Sequence, residues 1–356
     1  MTRIEKLRAA LPAGCDGALV YSITNREYLS CFLSGDAGTL LVFRDAAYFI
    51  IDSRYIEIAK KTVAGAEVVL QGKLYDQVKE LCRKHGVKRL LLEQEMTIGE
   101  CESFKKGVEG VEFVTDTALS DLLRKQRSIK DAEEVRKISA AQAITDAAFL
   151  DILNFIRPGR TEKEVAAELE YYMRKRGADG LAFETIIASG ENGSMPHAVP
   201  GDRKIREGDF VTMDFGAKLD GYCSDMTRTV AVGTLTDEQY RVYDTVLRAH
   251  LTSMAAAHPG VLGYDLDRIA RDIINGAGYE GAFGHSLGHS LGLDIHEWPN
   301  STPNRKDVLE DGTIMTIEPG IYLEGRFGVR IENMILITGD GYRNLTGSER
   351  ALITLR

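Results

Sequence analysis

The sequence has 356 residues, of which 44% are apolar and 27% charged, and its formal net charge at pH 7 is −9. This length exceeds what one hydrophobic core ordinarily supports, so we expect two domains. The balance of apolar and charged residues is that of a globular protein and excludes a disordered or fibrous chain. The negative charge argues against nucleic acid and anionic membranes as partners, because both favour clustered lysine and arginine.

Cysteine usage and the N-terminal sequence bear on the cellular compartment. The five cysteines are scattered, and none forms a Cys-x-x-Cys pair. We therefore expect free thiols in a reducing compartment rather than a disulfide framework or a zinc ribbon. The N-terminus lacks the apolar segment of a signal peptide, and no apolar run approaches the roughly 18–20 residues that span a membrane. These features predict a cytoplasmic protein.

The first third of the sequence alternates strand-like and helical patterns. Compact apolar runs predict strands at Gly17–Tyr21, Thr39–Phe43, Ala47–Ile51, Glu67–Leu70 and Arg89–Leu92. Asp52–Ser53 is predicted to cap a helix that starts near Arg54, and another helix is predicted over Tyr75–Lys84. We therefore predict an α/β domain over residues 1–124, followed by a basic, polar stretch at Arg124–Lys130.

Residues 125–356 show a different pattern, in which a pair of helices is repeated. The dipeptides Pro158-Gly159 and Pro259-Gly260 each separate two helical segments and are offset by 101 residues. Capping boxes at Thr161–Glu164 and Thr236–Gln239 mark two of the helix starts. This spacing predicts an internal duplication of a helix–helix–strands unit, with a cleft between the two halves.

Two aspartates are candidates for a shared site. Asp214 lies in strand-forming sequence, Asp225 follows 11 residues later, and Asp220-Gly221 predicts a hairpin between their strands. Carboxylates on adjacent strands of a hairpin can converge on one point. Considered alone, a turn residue and a strand-end cap are the commoner roles of such aspartates.

Three histidines and two glutamates strengthen the case for a site. His285, His289 and His296 fall within a glycine-rich stretch of 12 residues, where little packing volume is available for structural histidines. Close approach to a ligand or metal is the better interpretation of this cluster. Glu318 and Glu332 stand in apolar, β-branched surroundings, where an unpaired carboxylate costs several kcal/mol. We infer that the two glutamates share a cation, the alternative for each being a solvent-facing strand position.

Together these residues form a set of two aspartates, two glutamates and at least one histidine. A carboxylate-rich set without thiolate suits a pair of hard divalent ions, Mn²⁺ first, with Co²⁺ or Zn²⁺ able to substitute. Two such ions roughly 3.5–4 Å apart would bind a bridging water as hydroxide and polarise a carbonyl oxygen. The set therefore points to metal-assisted hydrolysis.

The motifs that carry these residues resemble those of the pita-bread metallopeptidase family, which contains methionine aminopeptidase, aminopeptidase P and prolidase. The matching runs are Met213-Asp-Phe-Gly216, Ser224-Asp-Met-Thr-Arg228, Gly284–Leu293, Ile317-Glu-Pro-Gly320 and Arg330-Ile-Glu-Asn333. Asp52-Ser-Arg-Tyr55 and Ser128–Glu134 resemble the N-terminal half of the proline-directed members. The resemblance implies an α/β N-terminal domain followed by an α+β pita-bread catalytic domain over residues 125–356.

The resemblance also implies roles for individual residues. The implied metal ligands are Asp214, Asp225, His289, Glu318 and Glu332, and Glu318 is also the implied general base. His197 and His296 resemble the substrate-contacting pair of the family, which hydrogen-bonds the scissile carbonyl or the developing oxyanion. His285 matches a position near the substrate, and Arg330 resembles an arginine that orients the carboxylates. Without the resemblance, the sequence around His197 is that of an exposed loop.

The large N-terminal domain favours the proline-directed members over the methionine aminopeptidases. We predict an Xaa-Pro aminopeptidase that releases the N-terminal residue from short peptides with proline at the second position. The alternative is an Xaa-Pro dipeptidase, or prolidase, because the motifs do not separate the two. A methionine aminopeptidase and a non-catalytic peptide-binding protein are less favoured, the latter because such relatives lose metal ligands. The resemblance further implies a homodimer.

Overall fold

The computed structural model describes the whole chain, residues 1–356. The chain divides into two compact units, Met1–Arg127 and Ser128–Arg356, and each has buried hydrophobic clusters of its own. None of the helices combines the length and the apolar character needed to cross a membrane.

The first unit is built on one mixed β-sheet. Its strands are β1 (Gly17–Val20), β2 (Thr39–Phe43), β3 (Ala47–Ile51), β4 (Glu67–Leu70), β5 (Arg89–Leu92) and β6 (Glu112–Val114). Its helices are α1 (Arg3–Ala10), α2 (Ile23–Ser30), α3 (Ile56–Thr62), α4 (Leu74–Lys84), α5 (Ile98–Gly107) and α6 (Ala118–Ser128). The strand order is β4-β3-β2-β1-β5-β6, and β1, β2 and β3 are buried along their whole length. Strands buried in this way are covered on both faces, which is typical of an α/β domain.

The predicted strand bounds agree with the structure to within one residue, whereas the predicted cap at Asp52 is wrong. Helix α3 begins two residues later than expected, and its N-cap residue, Tyr55, makes no capping side-chain hydrogen bond. The Asp52 carboxylate instead accepts hydrogen bonds from the backbone N–H of Arg54 (2.8 Å) and from its guanidinium. An aspartate that bonds the backbone two residues ahead stabilises a turn in competition with a helix.

The predicted domain boundary at residue 124 falls inside helix α6. Leu119 and Leu123 are fully buried on one face of this helix. Lys125 and Arg127 lie in its last turn, where positive charge is favourable next to the unpaired carbonyl groups. Most of the basic stretch, up to Ser128, is therefore the end of a helix.

The second unit combines helix pairs with four β-sheets. Its helices are α7 (Ala132–Ile152), α8 (Glu162–Lys175), α9 (Asp237–Ala255) and α10 (Gly263–Gly276), with a short 3₁₀ helix at Gly190–Ser194. The strands of its first half are β7 (Gly180–Leu181), β8 (Ile186–Ser189), β9 (Phe210–Phe215), β10 (Ala217–Leu219), β11 (Tyr222–Cys223) and β12 (Met226–Val232). The remaining strands are β13 (Gly288–Ser290), β14 (Glu297–Ser301), β15 (Ile314–Ile317), β16 (Gly320–Leu323), β17 (Phe327–Arg330), β18 (Asn333–Thr338), β19 (Gly341–Asn344) and β20 (Thr354–Leu355).

Each pair of helices packs against one of the two larger sheets. The sheet β20-β12-β9-β8 is covered by α7 and α8, and the sheet β14-β13-β15-β18-β19 is covered by α9 and α10. The predicted capping boxes at Thr161 and Thr236 are both formed. The sheets β11-β10-β7 and β16-β17 are smaller.

Equivalent hydrogen bonds in the two halves confirm the predicted duplication. The N–H of Gly159 donates to the carbonyl of Ile205 (2.9 Å), and the N–H of Gly260 donates to the carbonyl of Leu309 (2.7 Å). The residue before each second helix also forms an isolated β-bridge, Thr161 with Lys204 and Leu262 with Val308. These contacts recur at nearly the spacing of the Pro-Gly dipeptides, so the halves repeat the same unit.

Candidate metal centre

The structure brings all of the predicted site residues to one cavity of about 620 Å³ in the second unit. The cavity-lining residues from that prediction are His197, Asp214, Asp225, His285, His289, His296, Glu318, Arg330 and Glu332. The first three belong to the first half of the duplicated unit, and the others belong to the second half. The volume is within the usual range for small-molecule sites.

Strand pairing brings the four carboxylates to the point where the two halves meet. Asp214 lies near the end of β9 and faces Thr227 on β12, and Asp225 immediately precedes β12. Glu318 follows β15 and Glu332 precedes β18, which are the adjoining ends of two antiparallel strands. The N–H of Glu332 donates to the carbonyl of Thr227 (3.1 Å), which joins the second half to the first.

One histidine completes this group of donor atoms. The ligand atoms of Asp225, His289 and Glu332 all lie within 4.8 Å of one another. The Nε2 atom of His289 lies 3.5 Å from Asp225 Oδ2 and 3.4 Å from Glu318 Oε1. Its Nδ1 lies 3.1 Å from the carbonyl oxygen of Ser290, so Nδ1 donates and the Nε2 lone pair faces the carboxylates. Burial lowers the pKa of His289 to about 4, which keeps the imidazole in the neutral form that binds metal.

The electrostatics of the cavity call for additional positive charge. Burial, followed by the neighbouring carboxylates, raises the pKa of both Asp225 and Glu332 well above the usual range. Burial also raises the pKa of Glu318 to about 8. The guanidinium of Arg330 lies 2.7 Å from Asp214 Oδ2, but Asp214 Oδ1 is buried without a hydrogen-bond partner. Oxygen-rich donors with one unpartnered buried oxygen fit divalent cations.

Two threonines that the sequence analysis missed orient the carboxylates. Thr227 donates a hydrogen bond to Glu332 (2.7 Å) and accepts one from Arg330 Nε (2.9 Å). Thr316 donates to Glu318 (3.0 Å). Each threonine lies two residues from an acidic site residue, and the two-residue period of a strand places such residues on one face. That spacing was the available sequence signal.

The other three histidines of the cavity occupy different environments. The ring of His296 lies 4.4 Å from that of His289, and burial lowers the pKa of His296. His197 is exposed on a loop at the edge of the cavity. His285 has both ring nitrogens engaged within the protein, Nε2 with the hydroxyl of Tyr322 (2.8 Å) and Nδ1 with the carbonyl of Ser286 (2.8 Å). Its predicted contact with substrate stays a prediction.

Tyr322 is a further residue of the site that the sequence did not indicate. Its hydroxyl accepts a hydrogen bond from Arg330 Nη1 (2.7 Å) and lies beside His285. Burial raises the pKa of Tyr322 to about 12, so the phenol stays protonated. The contact arises because β16 pairs with β17, and no local sequence pattern encodes that pairing.

We expect the metal-free protein to become less stable as the pH rises from about 7 to about 8, a window in which the histidines of the unfolded chain, with a pKa of about 6.5, are mostly neutral. The folded state holds the pKa of Glu318 at about 8, whereas the unfolded value is about 4.3. Between these values Glu318 binds more protons in the folded state than in the unfolded state, so above about pH 7 the free energy of unfolding falls with rising pH. Below about pH 7 the buried histidines, such as His289, act in the opposite sense. The check is the Tm after chelation at both pH values, followed by addition of Mn²⁺, which should raise Tm more at pH 8. A metal-free Tm that increases toward pH 8 would contradict the expected carboxylate crowding.

A duplicated α+β unit with a carboxylate–histidine centre, preceded by an α/β domain, defines a two-domain hydrolytic enzyme that uses divalent metal ions. The chain belongs to metallopeptidase family M24, whose family model matches residues 136–339. The model of the creatinase/prolidase N-terminal domain matches residues 3–129. The fold class predicted from the sequence is confirmed by these matches.

Relatives with known names cover almost the whole chain. The solved structure of an Xaa-Pro dipeptidase from Bacillus anthracis is 42% identical, with 99% of each chain covered and a TM-score of 0.95. The solved structure of an X-Pro aminopeptidase from Thermotoga maritima is 36% identical, with 99% of each chain covered and a TM-score of 0.91. An Xaa-Pro dipeptidase from Pyrococcus horikoshii is 38% identical, with 95% of this chain and 94% of its own length covered.

Proposed function

We propose that the protein is an Xaa-Pro dipeptidase, which hydrolyses the peptide bond preceding proline in dipeptides. The chemistry is supported above all by the ligand atoms of Asp225, His289 and Glu332, which converge within 4.8 Å of one another. The dipeptide preference is supported by the dipeptidases of Bacillus anthracis and Pyrococcus horikoshii. They favour the alternative of the sequence analysis over the Xaa-Pro aminopeptidase that was first predicted. The aminopeptidase is the second candidate, on the strength of the relative from Thermotoga maritima.

The metal ligands we propose are Asp214, Asp225, His289, Glu318 and Glu332, which would hold two divalent ions, Mn²⁺ before Co²⁺ or Zn²⁺. When bound, the ions supply Lewis-acid activation of water and of the scissile carbonyl. Glu318, held by the hydroxyl of Thr316, accepts the proton of the attacking water and returns it to the leaving nitrogen. Arg330 keeps the Asp214 carboxylate turned toward the centre.

The histidines of the cavity are proposed to act on the substrate. His197 and His296 donate hydrogen bonds to the scissile carbonyl as it becomes a tetrahedral oxyanion, and His285 borders the bound peptide. Proline supplies a nitrogen without N–H, so the site needs no acceptor at the scissile nitrogen. These roles give His197 and His296 a part in the transition state rather than in metal binding.

The test is cleavage of two matched peptides by metal-stripped protein, with and without added Mn²⁺, followed by mass spectrometry. Ala-Pro is the dipeptide, Ala-Pro-Ala is the longer substrate, and Ala-Ala is the control without proline. Mn²⁺-dependent cleavage of Ala-Pro alone is the expected result. Release of alanine from Ala-Pro-Ala would instead support the aminopeptidase. Failure to cleave either peptide with Mn²⁺, Co²⁺ or Zn²⁺ present would contradict both candidates.

We also propose that the protein works in the cytoplasm as a homodimer on short Xaa-Pro peptides. The dimer is supported by the family resemblance, and the compartment by the five cysteines, all of which are free thiols. Sedimentation equilibrium of the purified protein measures the assembly directly. A molar mass near the 39.3 kDa of one chain would contradict the dimer.

A further inference from the structure

The loop that carries His197 runs from Ser189 to Gly201, and one buried carboxylate joins these two ends, which form the base of the loop. Glu162 is the first residue of α8, and its relative exposure is 0%. Its Oε1 accepts hydrogen bonds from the backbone N–H and the hydroxyl of Ser189, both at 2.8 Å. Its Oε2 accepts from the N–H of Gly201 at 3.0 Å, and Asn192 Nδ2 lies 3.1 Å from both oxygens. A single side chain therefore ties the residues before His197 to those after it.

A second charged residue supports the same closure. The guanidinium of Arg203 donates to the hydroxyl of Ser189 (2.8 Å), which itself donates to Glu162. Arg203 also pairs with Asp209 (2.6 Å) and with Glu191, so it spans the two ends of the loop. Charge-assisted hydrogen bonds of this kind are shorter and stronger than neutral ones, so the base of the loop is rigid.

The other half of the duplicated unit holds its histidine in a different way. His296 is followed directly by β14, which is bonded into a sheet, whereas His197 lies in a segment without any strand. The residue equivalent to Glu162 is Gly263, where an added Cβ would come within 2.2 Å of the carbonyl oxygen of Asn300. In the second half the backbone therefore packs directly on the helix start. In the first half the glutamate side chain occupies that space, and its hydrogen bonds take the place of the strand pairing that β14 makes in the second half.

His197 itself depends on the backbone for its position. Its ring is exposed and makes no hydrogen bond within the chain. The backbone on either side of it is held by a hydrogen bond of 3.3 Å from Arg330 Nη1 to the carbonyl of Pro196 and by one of 3.2 Å from the N–H of Ala198 to the carbonyl of Met195. The place of the imidazole at the cavity is thus set by the backbone of the loop, whose two ends Glu162 holds together.

We propose that Glu162 is a positioning residue that fixes His197 for its contact with the substrate. The proposal rests on the proposed function, in which His197 donates to the reacting carbonyl. Glu162 lies outside the cavity and touches neither the substrate nor the proposed metal ligands. The other residues of this loop that line the cavity have no side-chain hydrogen-bond donor: Pro196, Ala198, Val199 and Pro200. The effect of Glu162 on kcat should therefore pass mainly through His197.

The experiment is a double-mutant cycle on kcat for Ala-Pro at saturating Mn²⁺. His197→Ala is expected to lower kcat by about 100-fold, the usual effect of losing one oxyanion donor. Glu162→Gln places an amide N–H₂ against backbone donors, and the resulting shift of the loop is expected to lower kcat by about 10-fold. In the His197→Ala background, Glu162→Gln should lower kcat by less than about 2-fold, because the group it positions is gone.

Two further variants make the test robust. Asn192→Ala removes one donor of the cluster, while Glu162 keeps its hydrogen bonds from Ser189 and Gly201. About a 3-fold fall in kcat is expected, and this fall should also be lost in the His197→Ala background. If Glu162→Gln does not fold, Asn192→Ala takes its place in the double-mutant cycle. Lys163→Ala is the matched control, because Lys163 is the neighbour of Glu162 and pairs with Asp202 of the same loop at 3.1 Å, with both side chains exposed. Loss of that exposed pair should change kcat by less than about 2-fold.

The outcomes distinguish the positioning role of Glu162 from the proposed function on which it rests. A fall of about 10-fold from Glu162→Gln in both backgrounds would overturn the positioning role, since independent effects multiply. Unchanged kcat in Glu162→Gln, with a large fall in His197→Ala, would overturn the positioning role and leave the proposed function intact. Unchanged kcat in His197→Ala would overturn the proposed role of His197 and the positioning role with it.

Discussion

Replacement of Glu318 by glutamine is expected to lower kcat for an Xaa-Pro dipeptide by about 10³-fold, even at saturating Mn²⁺. The carboxamide has the same shape but neither the charge of a metal ligand nor the basicity to accept a proton from water. Thr316 Oγ1 would still find an oxygen acceptor at about the present 3.0 Å, so the local fold should persist. The measurement is steady-state kinetics together with the metal content of the variant.

The matched control for this variant is Glu324→Gln. Glu324 follows β16 and is exposed, and it does not line the cavity. The same chemical change at this position should leave kcat unaltered. A Glu318→Gln variant with at least a tenth of the wild-type kcat would show that Glu318 is neither the base nor an essential ligand.

Replacement of Arg228 by methionine is expected to lower the free energy of unfolding of the second unit by about 4 kcal/mol and its Tm by about 10 °C. The guanidinium of Arg228 is buried and bonded to five acceptors, the carbonyls of Thr227, Glu332, Ser348 and Glu349 and the side-chain oxygen of Asn333. Methionine keeps the apolar stem but removes the donor from the buried carbonyl of Glu332 and from the buried side-chain oxygen of Asn333. The carbonyl of Thr227 keeps its hydrogen bond from the N–H of Glu332. Differential scanning calorimetry measures the change.

Arg343→Met is the control for this variant, because Arg343 is exposed on β19. Loss of the same charge at the surface should change stability by no more than about 0.5 kcal/mol. Since Arg228 Nη1 donates to the backbone of Glu332, we also expect weaker metal binding in Arg228→Met alone. Equal Tm values for the two variants would contradict the structural role of Arg228.

The sequence predicted those parts of the molecule whose signals are local. Apolar runs gave β2 and β3 with their observed bounds, and capping boxes marked the starts of α8 and α9. Glu318 and Glu332 became candidates because carboxylates in apolar, strand-like sequence are costly without a cation, and the family resemblance then implied the full set of ligands. The pairing of the strands then brings these side chains to a common point.

Contacts between distant segments could not be predicted from the sequence. Lys130 belongs to the basic, polar stretch that follows the first predicted domain, yet its side chain is 1% exposed and lies 3.2 Å from Glu297, whose side chain is 5% exposed. Glu162 appeared to be an ordinary residue of a helix start, and only the fold brings Ser189 and Gly201 to it. In both cases the partner is set by tertiary packing, which no short pattern encodes.

The choice between dipeptidase and aminopeptidase also lay beyond the motifs. Ligands such as Asp225 and His289 serve the hydrolytic step, which is the same whether one residue or many follow the proline. Substrate length depends instead on how the cavity accommodates the C-terminal side of the peptide. Dipeptidases among the most similar relatives shift the balance toward the shorter substrate.

The central claim is that five side chains hold divalent ions with which the enzyme cleaves Xaa-Pro peptides. The most direct measurement is a titration of metal-stripped protein with Mn²⁺, in which bound metal and the rate of Ala-Pro hydrolysis are recorded together. We predict no hydrolysis without metal and a rate that reaches its plateau at two bound ions per chain. A rate that is independent of bound Mn²⁺, or saturated binding without hydrolysis of any Xaa-Pro peptide, would contradict the claim.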